Sequence, residues 1–368
     1  MNEEEKMITP DMTIRIGKKV CKNRITMAPT VKFNAGEDGV VTDFFVRHYA
    51  LRAEHGCGLI CVEATAVSPE GRLSPTQIGL WNDDQISGHK AVAQACHRYG
   101  ALVIPQLHYG GLGTHPKCGK MTSPTAVLWN NGLTGETMAE ELTVSEIHRI
   151  EQRFIDAAVR AKKAGYDGVQ LHGCHSYLIN DFASAVNQRS DEYGGNTENR
   201  ARFGCEIISG IRASCGDDFI ISMRISGCDP TIEESIRTGE YYVAAGCDYL
   251  QVSNGIQDIS SQPHDEQLPY NRVAALGIAF HEHFKGIVPV SLVNGIRTPE
   301  QVRYLLKNEL IDTVDLACGL LADPAFSEAI LNGTPYIKCF SCKRCSWGPG
   351  HIHRCPAQAK RQNEEWEF

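Results

Sequence analysis

The sequence predicts an α/β protein built as a (β/α)8 TIM barrel, and two observations lead to this prediction. Eight short β-branched runs alternate with longer amphipathic stretches along the 368 residues. Parallel strands need helical crossovers, and an eighth strand can pair with the first to close a barrel. An open doubly wound sheet is the competing arrangement. The length would otherwise suggest roughly two to three domains, but one barrel of this kind accommodates it.

The predicted elements follow one another in chain order. The eight strands are residues 24–29, 59–66, 102–108, 168–172, 219–225, 249–253, 288–294 and 313–317. The seven helices between them are residues 43–55, 87–99, 143–164, 197–213, 231–245, 271–284 and 299–308. Several helices begin after a Ser, Thr or Asp cap, and Pro299 stands at a first helical position.

Two segments lie outside this alternation. Residues 13–20 carry a glycine turn between short apolar runs, which predicts a hairpin that plugs the bottom of the barrel. Residues 110–142 are rich in Gly, Thr and Asn, which predicts a loop over the opposite face. We therefore expect a barrel domain over residues 1–335 and a cysteine-rich tail over residues 336–368.

Charge and hydropathy exclude several classes of partner. Lys and Arg number 36 and Asp and Glu number 44, so the net charge is −8. This mild acidity argues against nucleic acid or an anionic membrane surface as a partner. No apolar stretch approaches the roughly 18 to 20 residues of a membrane helix, and the acidic start is unlike a signal peptide. We expect a cytoplasmic protein.

Polar residues collect where the predicted strands end, which is where active sites lie in this fold. The fourth strand runs into His172, His175 and Tyr177, and Arg224 lies on the fifth. The two histidines suit a zinc pair, satisfied structural histidines or donors to a substrate anion, with Glu63 the one strand-end carboxylate that could join a metal. Tyr177 is either a proton donor or a packing tyrosine.

The ends of strands seven and eight predict a phosphate cradle. Asn294 and Gly295 end one strand, and Ala317 and Cys318 end the next, so backbone N–H groups come near helix starts. Ordinary tight turns are the alternative. No GxGxxG motif follows a strand, so any nicotinamide would arrive from solution.

Cysteine is abundant and unevenly placed. Of the 15 cysteines, 11 are scattered through apolar segments, as buried small hydrophobes would be. The other four crowd the tail: Cys339, Cys342, Cys345 and Cys355. Three thiolates at steps of three with a remote fourth are typical of a 4Fe-4S site. Zinc, with His351 and His353 as further ligands, and unligated thiols are the alternatives.

Four long motifs resemble the Old Yellow Enzyme family of flavin-dependent ene-reductases, particularly the barrel domain of 2,4-dienoyl-CoA reductase. They are residues 23–29, 62–72, 172–182 and 189–203, and Asp323-Pro324 adds a fifth short match. These motifs are spread along nearly the whole barrel, and the string from Arg189 to Phe203 is the most specific of them.

The resemblance implies an FMN lying across the barrel mouth. Ala28, Pro29 and Thr30 would line one edge of the flavin, Ala64 and Gln106 would contact its ring, and Arg224 would stabilise its reduced form. The strand-seven and strand-eight ends would hold its phosphate. His172 and His175 would hold the carbonyl oxygen of an activated alkene, such as an enone or enoyl compound, and Tyr177 would protonate the adjacent carbon. NADH or NADPH would recharge the flavin in the same mouth.

The chain departs from the family pattern at two places. The family usually follows the last strand with Gly-Arg, whose arginine binds the FMN phosphate, and here the pair is Ala317-Cys318. Arg297 is a candidate to substitute for that arginine. Val31 stands where many relatives carry the Cys or Thr that tunes the flavin potential.

The tail also resembles these relatives, in which a cluster passes electrons to FMN. A partner reductase, a ferredoxin-like protein or NAD(P)H itself would then be the electron donor. Two other functions remain open: an amine dehydrogenase resembling trimethylamine dehydrogenase, and a non-catalytic electron-transfer subunit. The oligomeric state is open as well, a homo-oligomer included.

Overall fold

The computed structural model describes residues 7–260, 270–342, 345 and 355–358. Within these residues, eight parallel strands close into a barrel, and helices cover its outer face. Around the barrel the strands follow in the order 220–226, 249–253, 290–293, 313–316, 25–27, 59–66, 102–108 and 168–173. The predicted (β/α)8 barrel is confirmed, and the open doubly wound sheet is excluded.

The described elements have the following bounds. The strands are β1 (Ile14–Ile16), β2 (Lys19–Cys21), β3 (Ile25–Met27), β4 (Leu59–Ala66), β5 (Leu102–His108), β6 (Thr122–Ser123), β7 (Val127–Asn130), β8 (Glu136–Glu141), β9 (Gly168–Gly173), β10 (Ile220–Ser226), β11 (Tyr249–Ser253), β12 (Val290–Val293) and β13 (Thr313–Leu316). The helices are α1 (Asp43–Glu54), α2 (Ile86–His97), α3 (Val144–Lys163), α4 (Leu178–Ala183), α5 (Thr197–Cys215), α6 (Ile232–Ala244), α7 (Arg272–Phe284), α8 (Pro299–Lys307), α9 (Cys318–Ala322) and α10 (Phe326–Asn332).

Capping and periodicity explain where the long helices begin and which face they bury. Thr143 accepts a hydrogen bond from the Glu146 amide, and the Glu146 side chain accepts one from the Thr143 amide in return, which fixes the start of α3. Thr298 and Gln301 make the same exchange at the start of α8. The buried residues of α3 recur every three or four positions, as expected for a helix packed on a sheet.

The amino-terminal hairpin closes the bottom of the barrel, as predicted. β1 and β2 pair antiparallel, with Ile14 opposite Cys21. Ile16 and Cys21 are fully buried against residues at the amino ends of barrel strands, among them Leu59 and Ile220. Apolar contact beneath the strands therefore seals this end.

Residues 110–142 are not the plain loop that their composition predicts. They contain β6, β7 and β8, which form a separate three-stranded sheet. Five of the six residues of β8 are exposed, so the sequence shows no apolar alternation that would reveal the strand. A small cluster that includes Leu112, Met121 and Ala139 holds the sheet together. The segment does border the mouth, because Gly113 lies against the ring of Tyr177.

Three short helices were not predicted. α4, α9 and α10 have only five to seven residues, which is too short for a helical period to emerge. α4 begins directly after Tyr177, and α9 begins at Cys318. α4 therefore begins next to a predicted site residue, and α9 begins at one.

The described part of the tail packs on the barrel. Cys355 and Ala357 bury their side chains against Leu321 and Ala322 of α9. The Ile337 amide donates a hydrogen bond of 2.7 Å to Asp323. The division at residue 335 stays a prediction. Among the described helices, none combines the length and the apolar character that a membrane span requires.

Candidate active site

A cavity of about 330 Å³ opens at the carboxyl ends of the barrel strands. All of the mouth residues predicted from the sequence line it: Ala28, Pro29, Thr30, Ala64, Gln106, His172, His175, Tyr177, Arg224, Asn294, Gly295, Ala317 and Cys318. Strand ends far apart in sequence thus converge on one site, because parallel strands in a closed barrel all point their carboxyl ends to the same face. The roles of these residues stay predictions.

The two histidines lie side by side at the end of β9. His172 Nε2 is 3.3 Å from His175 Nδ1, and His175 Nε2 is 2.9 Å from the Ser253 hydroxyl. His175 and Ser176 both have left-handed backbones, with φ of 63° and 58°. Non-glycine residues rarely adopt this conformation, and where they do it often marks a functional site. The turn aims His175 across the mouth toward β11.

Both histidines are neutral near pH 7. Burial lowers the pKa of His175 to about 3, and the neighbouring Arg224 guanidinium acts in the same direction. Burial also lowers the pKa of His172 well below its ordinary value, with His175, His108 and Arg224 contributing. Each ring therefore offers one N–H donor and one lone pair.

A hydrogen-bond chain runs from Arg224 to His172. Arg224 Nη2 donates to the Ser253 hydroxyl oxygen at 3.3 Å, and the same hydroxyl lies 2.9 Å from His175 Nε2. His175 Nδ1 lies 3.3 Å from His172 Nε2, and the tautomer of each ring decides which of these two nitrogens donates. His172 Nδ1 is buried and has no partner among the described residues. The chain therefore leaves one nitrogen of His172 unpaired.

Tyr177 stands against the histidines and precedes α4. Its ring centroid lies 4.5 Å from that of His172, and the rings meet edge to face. A Cβ on Gly113 would come within 2.6 Å of the tyrosine ring, so the ring position requires glycine there. Burial raises the pKa of Tyr177 to about 12. The phenol keeps its proton at neutral pH and can act as an acid.

His108 is a third histidine at this site, and it was not predicted as a site residue. Its ring lies 4.5 Å from the Tyr177 ring and 5.4 Å from that of His172. Both ring nitrogens are buried without a hydrogen-bond partner in the described structure. Burial lowers the pKa of His108 to about 3. The signal in the sequence was its place at the end of β5, two residues after Gln106.

The cavity suits the flavin that the resemblance implies. Ala28, Pro29 and Ala64 offer small side chains on one side, which leaves room for a flat ring. Gln106 donates a hydrogen bond of 2.8 Å to Gln170, and this contact fixes its amide. On the other side, Arg224 has a buried Nε without a partner among the described residues. Arg224 thus brings a positive charge to this wall of the cavity.

The β12 and β13 side of the cavity has the character of an anion site. Asn294 and Gly295 have positive φ values of 97° and 81°, so the backbone turns sharply where β12 ends. Arg297 lines the cavity beside Cys318, and its Nε is buried without a partner within the described chain. A guanidinium therefore lies next to the thiol that stands where an arginine was expected. The residues present fit a phosphate here.

Sequence reasoning missed part of the lining. The residues not predicted as site residues are Val31, Leu73, Ser253, Asn254, Val293, Ile296, Arg297 and Asp315, of which Val31 and Arg297 were noted only as departures or substitutes. Ser253 could have been found, because it ends β11 as the others end their strands. Asp315 lies inside β13, where only the direction of its side chain reveals it.

The structure gives Glu63 a role that is unlike metal binding. One carboxylate oxygen accepts a hydrogen bond of 2.8 Å from the Lys32 amide, and Tyr49 donates to the other at 3.3 Å. Donor atoms of His172, Cys174 and His175 do lie within 4.8 Å of one another. Glu63 is absent from the possible metal groups found among the described residues, so no carboxylate completes a zinc set there.

The four tail cysteines come together with a fifth. Cys339, Cys342, Cys345 and Cys355 line one small cavity, and Cys318 lines it too. Arg297 and Cys318 border both this cavity and the mouth cavity. The two cavities therefore share a wall. His351 and His353, named as further zinc ligands, lie outside the described residues.

Comparison with known proteins identifies relatives along the barrel. The chain is 37% identical over 339 residues to an NADH oxidase of Thermoanaerobacter brockii, covering 89% of this chain and 52% of that protein. It is 33% identical over 316 residues to an NADPH dehydrogenase of Clostridium acetobutylicum, covering 84% of this chain and 91% of that one. The chain thus spans about half of the first relative and most of the second.

Solved structures give the same result. A complex of 2-naphthoyl-CoA reductase with 2-naphthoyl-CoA superposes with a TM-score of 0.83 at 25% identity, covering 92% of this chain and 55% of that one. An Old Yellow Enzyme homologue from Zymomonas mobilis gives a TM-score of 0.77 at 27% identity, covering 90% and 94%. The family described as the NADH:flavin oxidoreductase / NADH oxidase family matches residues 12–336. The chain therefore belongs to this family of flavin-dependent oxidoreductases.

Proposed function

We propose that the protein is an FMN-dependent ene-reductase that saturates the C=C bond of an α,β-unsaturated carbonyl compound. The observation that carries the proposal is the group of His172, His175 and Tyr177 at one end of a cavity whose other walls suit a flavin. When bound, FMN supplies the hydride for the β-carbon of the alkene.

The chain's own residues would stabilise and complete that reduction. Negative charge gathers on the carbonyl oxygen as the β-carbon is reduced, and N–H donors of His172 and His175 would stabilise it, each by an amount on the order of 3 kcal/mol. Tyr177, which holds its proton at neutral pH, would deliver that proton to the α-carbon.

NADH or NADPH would supply the electrons, as the names of the related NADH oxidase and NADPH dehydrogenase suggest. An electron-donor protein that reduces the tail cluster is the second source we consider. Both proposals treat the barrel mouth as the place where the flavin is recharged.

We further propose that Cys339, Cys342, Cys345 and Cys355 hold a 4Fe-4S cluster. Support comes from the four thiols lining one cavity and from the wall of Arg297 and Cys318 that this cavity shares with the mouth. Cysteine spacings of this kind are typical of such clusters. Iron, sulfide and zinc analysis of anaerobically purified protein tests the assignment: about four irons and four sulfides per chain support it, and one zinc per chain contradicts it.

The activity is tested on the same anaerobic preparation. We expect a yellow protein that oxidises NADH or NADPH when an enone or an enoyl thioester is added, with one C=C bond lost per nicotinamide oxidised. If the protein takes up no added FMN, the remaining hypothesis is that it is a non-catalytic electron-transfer subunit. Flavin reduction by amines but not reoxidation by enones would instead support an amine dehydrogenase. We expect the enzyme to act in the cytoplasm, and sedimentation of the same sample tests for a homo-oligomer.

A further inference from the structure

Three potential metal ligands meet on the outside of the barrel, between α3 and α5. His148 and Glu151 are three residues apart on α3, so they lie on one face of that helix. Glu206 belongs to α5, which packs against α3. A ring nitrogen of His148 and one carboxylate oxygen from each glutamate all lie within 4.8 Å of one another.

Glu151 is an unusual residue for this position. Only 7% of its surface is exposed, and its Oε1 has no hydrogen-bond partner in the described part of the chain. Burying a carboxylate without a partner is costly, so such a group must bind a proton or a cation. Burial, a hydrogen bond to the Glu206 side chain and the charge of that carboxylate all raise the pKa of Glu151. The two carboxylates therefore share either a proton or a bound cation.

A buried tyrosine holds the other two ligands in place. The Tyr193 hydroxyl donates a hydrogen bond of 2.8 Å to Glu206 and lies 3.0 Å from His148 Nε2. Tyr193 itself is 1% exposed, so its ring is fixed by packing. Groups that orient metal ligands in this way strengthen metal binding in other proteins. His148 is exposed, which gives an ion access from solvent.

We propose that His148, Glu151 and Glu206 bind one divalent transition-metal ion on the flank of the barrel, with water in the remaining positions. One imidazole and two carboxylates suit Mn²⁺, Fe²⁺ or Zn²⁺. Carboxylate-rich helical bundles ligate metals with the spacing Glu-x-x-His, and His148 and Glu151 have the same spacing in the reverse order. The site lies apart from the mouth and the tail, so the proposal goes beyond the proposed function and does not depend on it.

Manganese is the probe of choice, because the cysteine thiolates of the tail prefer softer ions. The electron paramagnetic resonance signal of free Mn²⁺ is followed while the purified protein is titrated. We expect one Mn²⁺ per chain for the native protein, and affinity at least about tenfold weaker in His148→Gln and in Glu151→Gln. Mn²⁺ should also raise the thermal midpoint of the native protein but not of these two variants.

His283→Gln is the matched control. His283 is also an exposed helical histidine beside a glutamate, with its Nε2 2.8 Å from Glu240. This variant should bind Mn²⁺ as the native protein does. The proposal is overturned if the native protein takes up no Mn²⁺ at millimolar concentration, or if His148→Gln and Glu151→Gln bind it unchanged. A gain in metal-free stability for Glu151→Gln, without any Mn²⁺ uptake, would show that the two glutamates share a proton instead.

Discussion

Tyr177 is the residue on which the proposed proton transfer depends. Replacing Tyr177 by Phe keeps the ring packed against His172 and removes the acid. We expect enone turnover to fall by about 100-fold or more, while flavin reduction by NAD(P)H stays unchanged. Anaerobic stopped-flow spectroscopy separates the two half-reactions. Tyr304→Phe, at an exposed tyrosine, is the control, and a Tyr177→Phe enzyme with native enone turnover would contradict the role.

Arg297 is the residue that we expect to bind the FMN phosphate. Because its guanidinium stands beside Cys318, where an arginine was expected, Arg297→Ala should weaken FMN binding by about tenfold to a hundredfold. Cys318→Arg should strengthen it. Flavin fluorescence quenching on the apoprotein measures both dissociation constants.

Riboflavin, which lacks the phosphate, is the internal control for Arg297. Its affinity should be the same in the native protein and in Arg297→Ala. Equal losses for FMN and riboflavin would mean that Arg297 supports the cavity as a whole and does not bind the phosphate.

Most of the mouth residues could be predicted because they lie at or just after strand ends, which the barrel brings together. Ala64, Gln106 and Arg224 lie inside strands, and the family resemblance identified their roles. Ser253, Asp315 and His108 were not assigned, although all three lie at the site. Asp315 falls inside a strand, and a sequence does not tell whether such a residue faces the interior. For His108, the missing observation was the lack of hydrogen-bond partners, which only coordinates reveal.

At the scale of elements, the β1–β2 hairpin should contribute measurable stability. Ile16 is fully buried beneath the barrel strands, whereas Val20 in the same hairpin is 55% exposed. Ile16→Ala should lower the free energy of unfolding by about 2 to 5 kcal/mol, and Val20→Ala by about 0.5 kcal/mol or less. Urea unfolding followed by circular dichroism compares the two. Equal effects would mean that the hairpin does not seal the barrel.

The elements that the sequence revealed are those with caps and long periods. α3 combines a capping box with a repeating apolar face over 20 residues, so both its start and its orientation were predictable. β7 and β8 show neither signal, because they pair with each other on the surface and bury little. Their pairing depends on tertiary contacts, and composition alone made the segment look like a loop.

The whole molecule contains several buried histidines, and they should make its stability sensitive to acid. Burial lowers the pKa of His89 to about 4 and that of His108 to about 3. In the unfolded chain each would titrate near 6.5, so below that pH the unfolded state binds more protons and is favoured. Each such histidine should lower the free energy of unfolding by about 2 kcal/mol as the pH falls from about 7.5 to about 5.

Buried carboxyl groups change the free energy of unfolding in the opposite direction, so the effect of one histidine is measured by comparing the native protein with a variant that lacks it. Burial raises the pKa of Asp181 to about 8, and this group favours the folded state as the pH falls. His108→Leu removes one histidine and leaves the carboxyl groups in place. The stability of this variant should fall less between the two pH values than that of the native protein, by about 2 kcal/mol in urea unfolding. Parallel curves would show that His108 takes up its proton at the same pH in the folded state as in the unfolded chain.

The family was predictable because its motifs are spread along the chain, and the match over residues 12–336 confirms it. The barrel was predictable from the alternation of strands and helices, and the closed eight-stranded sheet confirms it. The metal group on the flank was not predicted. His148 and Glu151 look like ordinary surface positions of a helix, and Glu206 follows more than 50 residues later. Only the packing of α3 on α5 brings them together.

The hairpin beneath the barrel also determines where reactants can enter. Because Ile16 and Cys21 fill the lower end, the described part of the barrel admits reactants through the cavity at its carboxyl end. If NAD(P)H and the enone both reach the flavin through this entrance, as proposed above, each must leave before the other can bind. A large excess of NAD(P)H or of the enone should therefore inhibit turnover, because the compound in excess occupies the cavity that the other must enter.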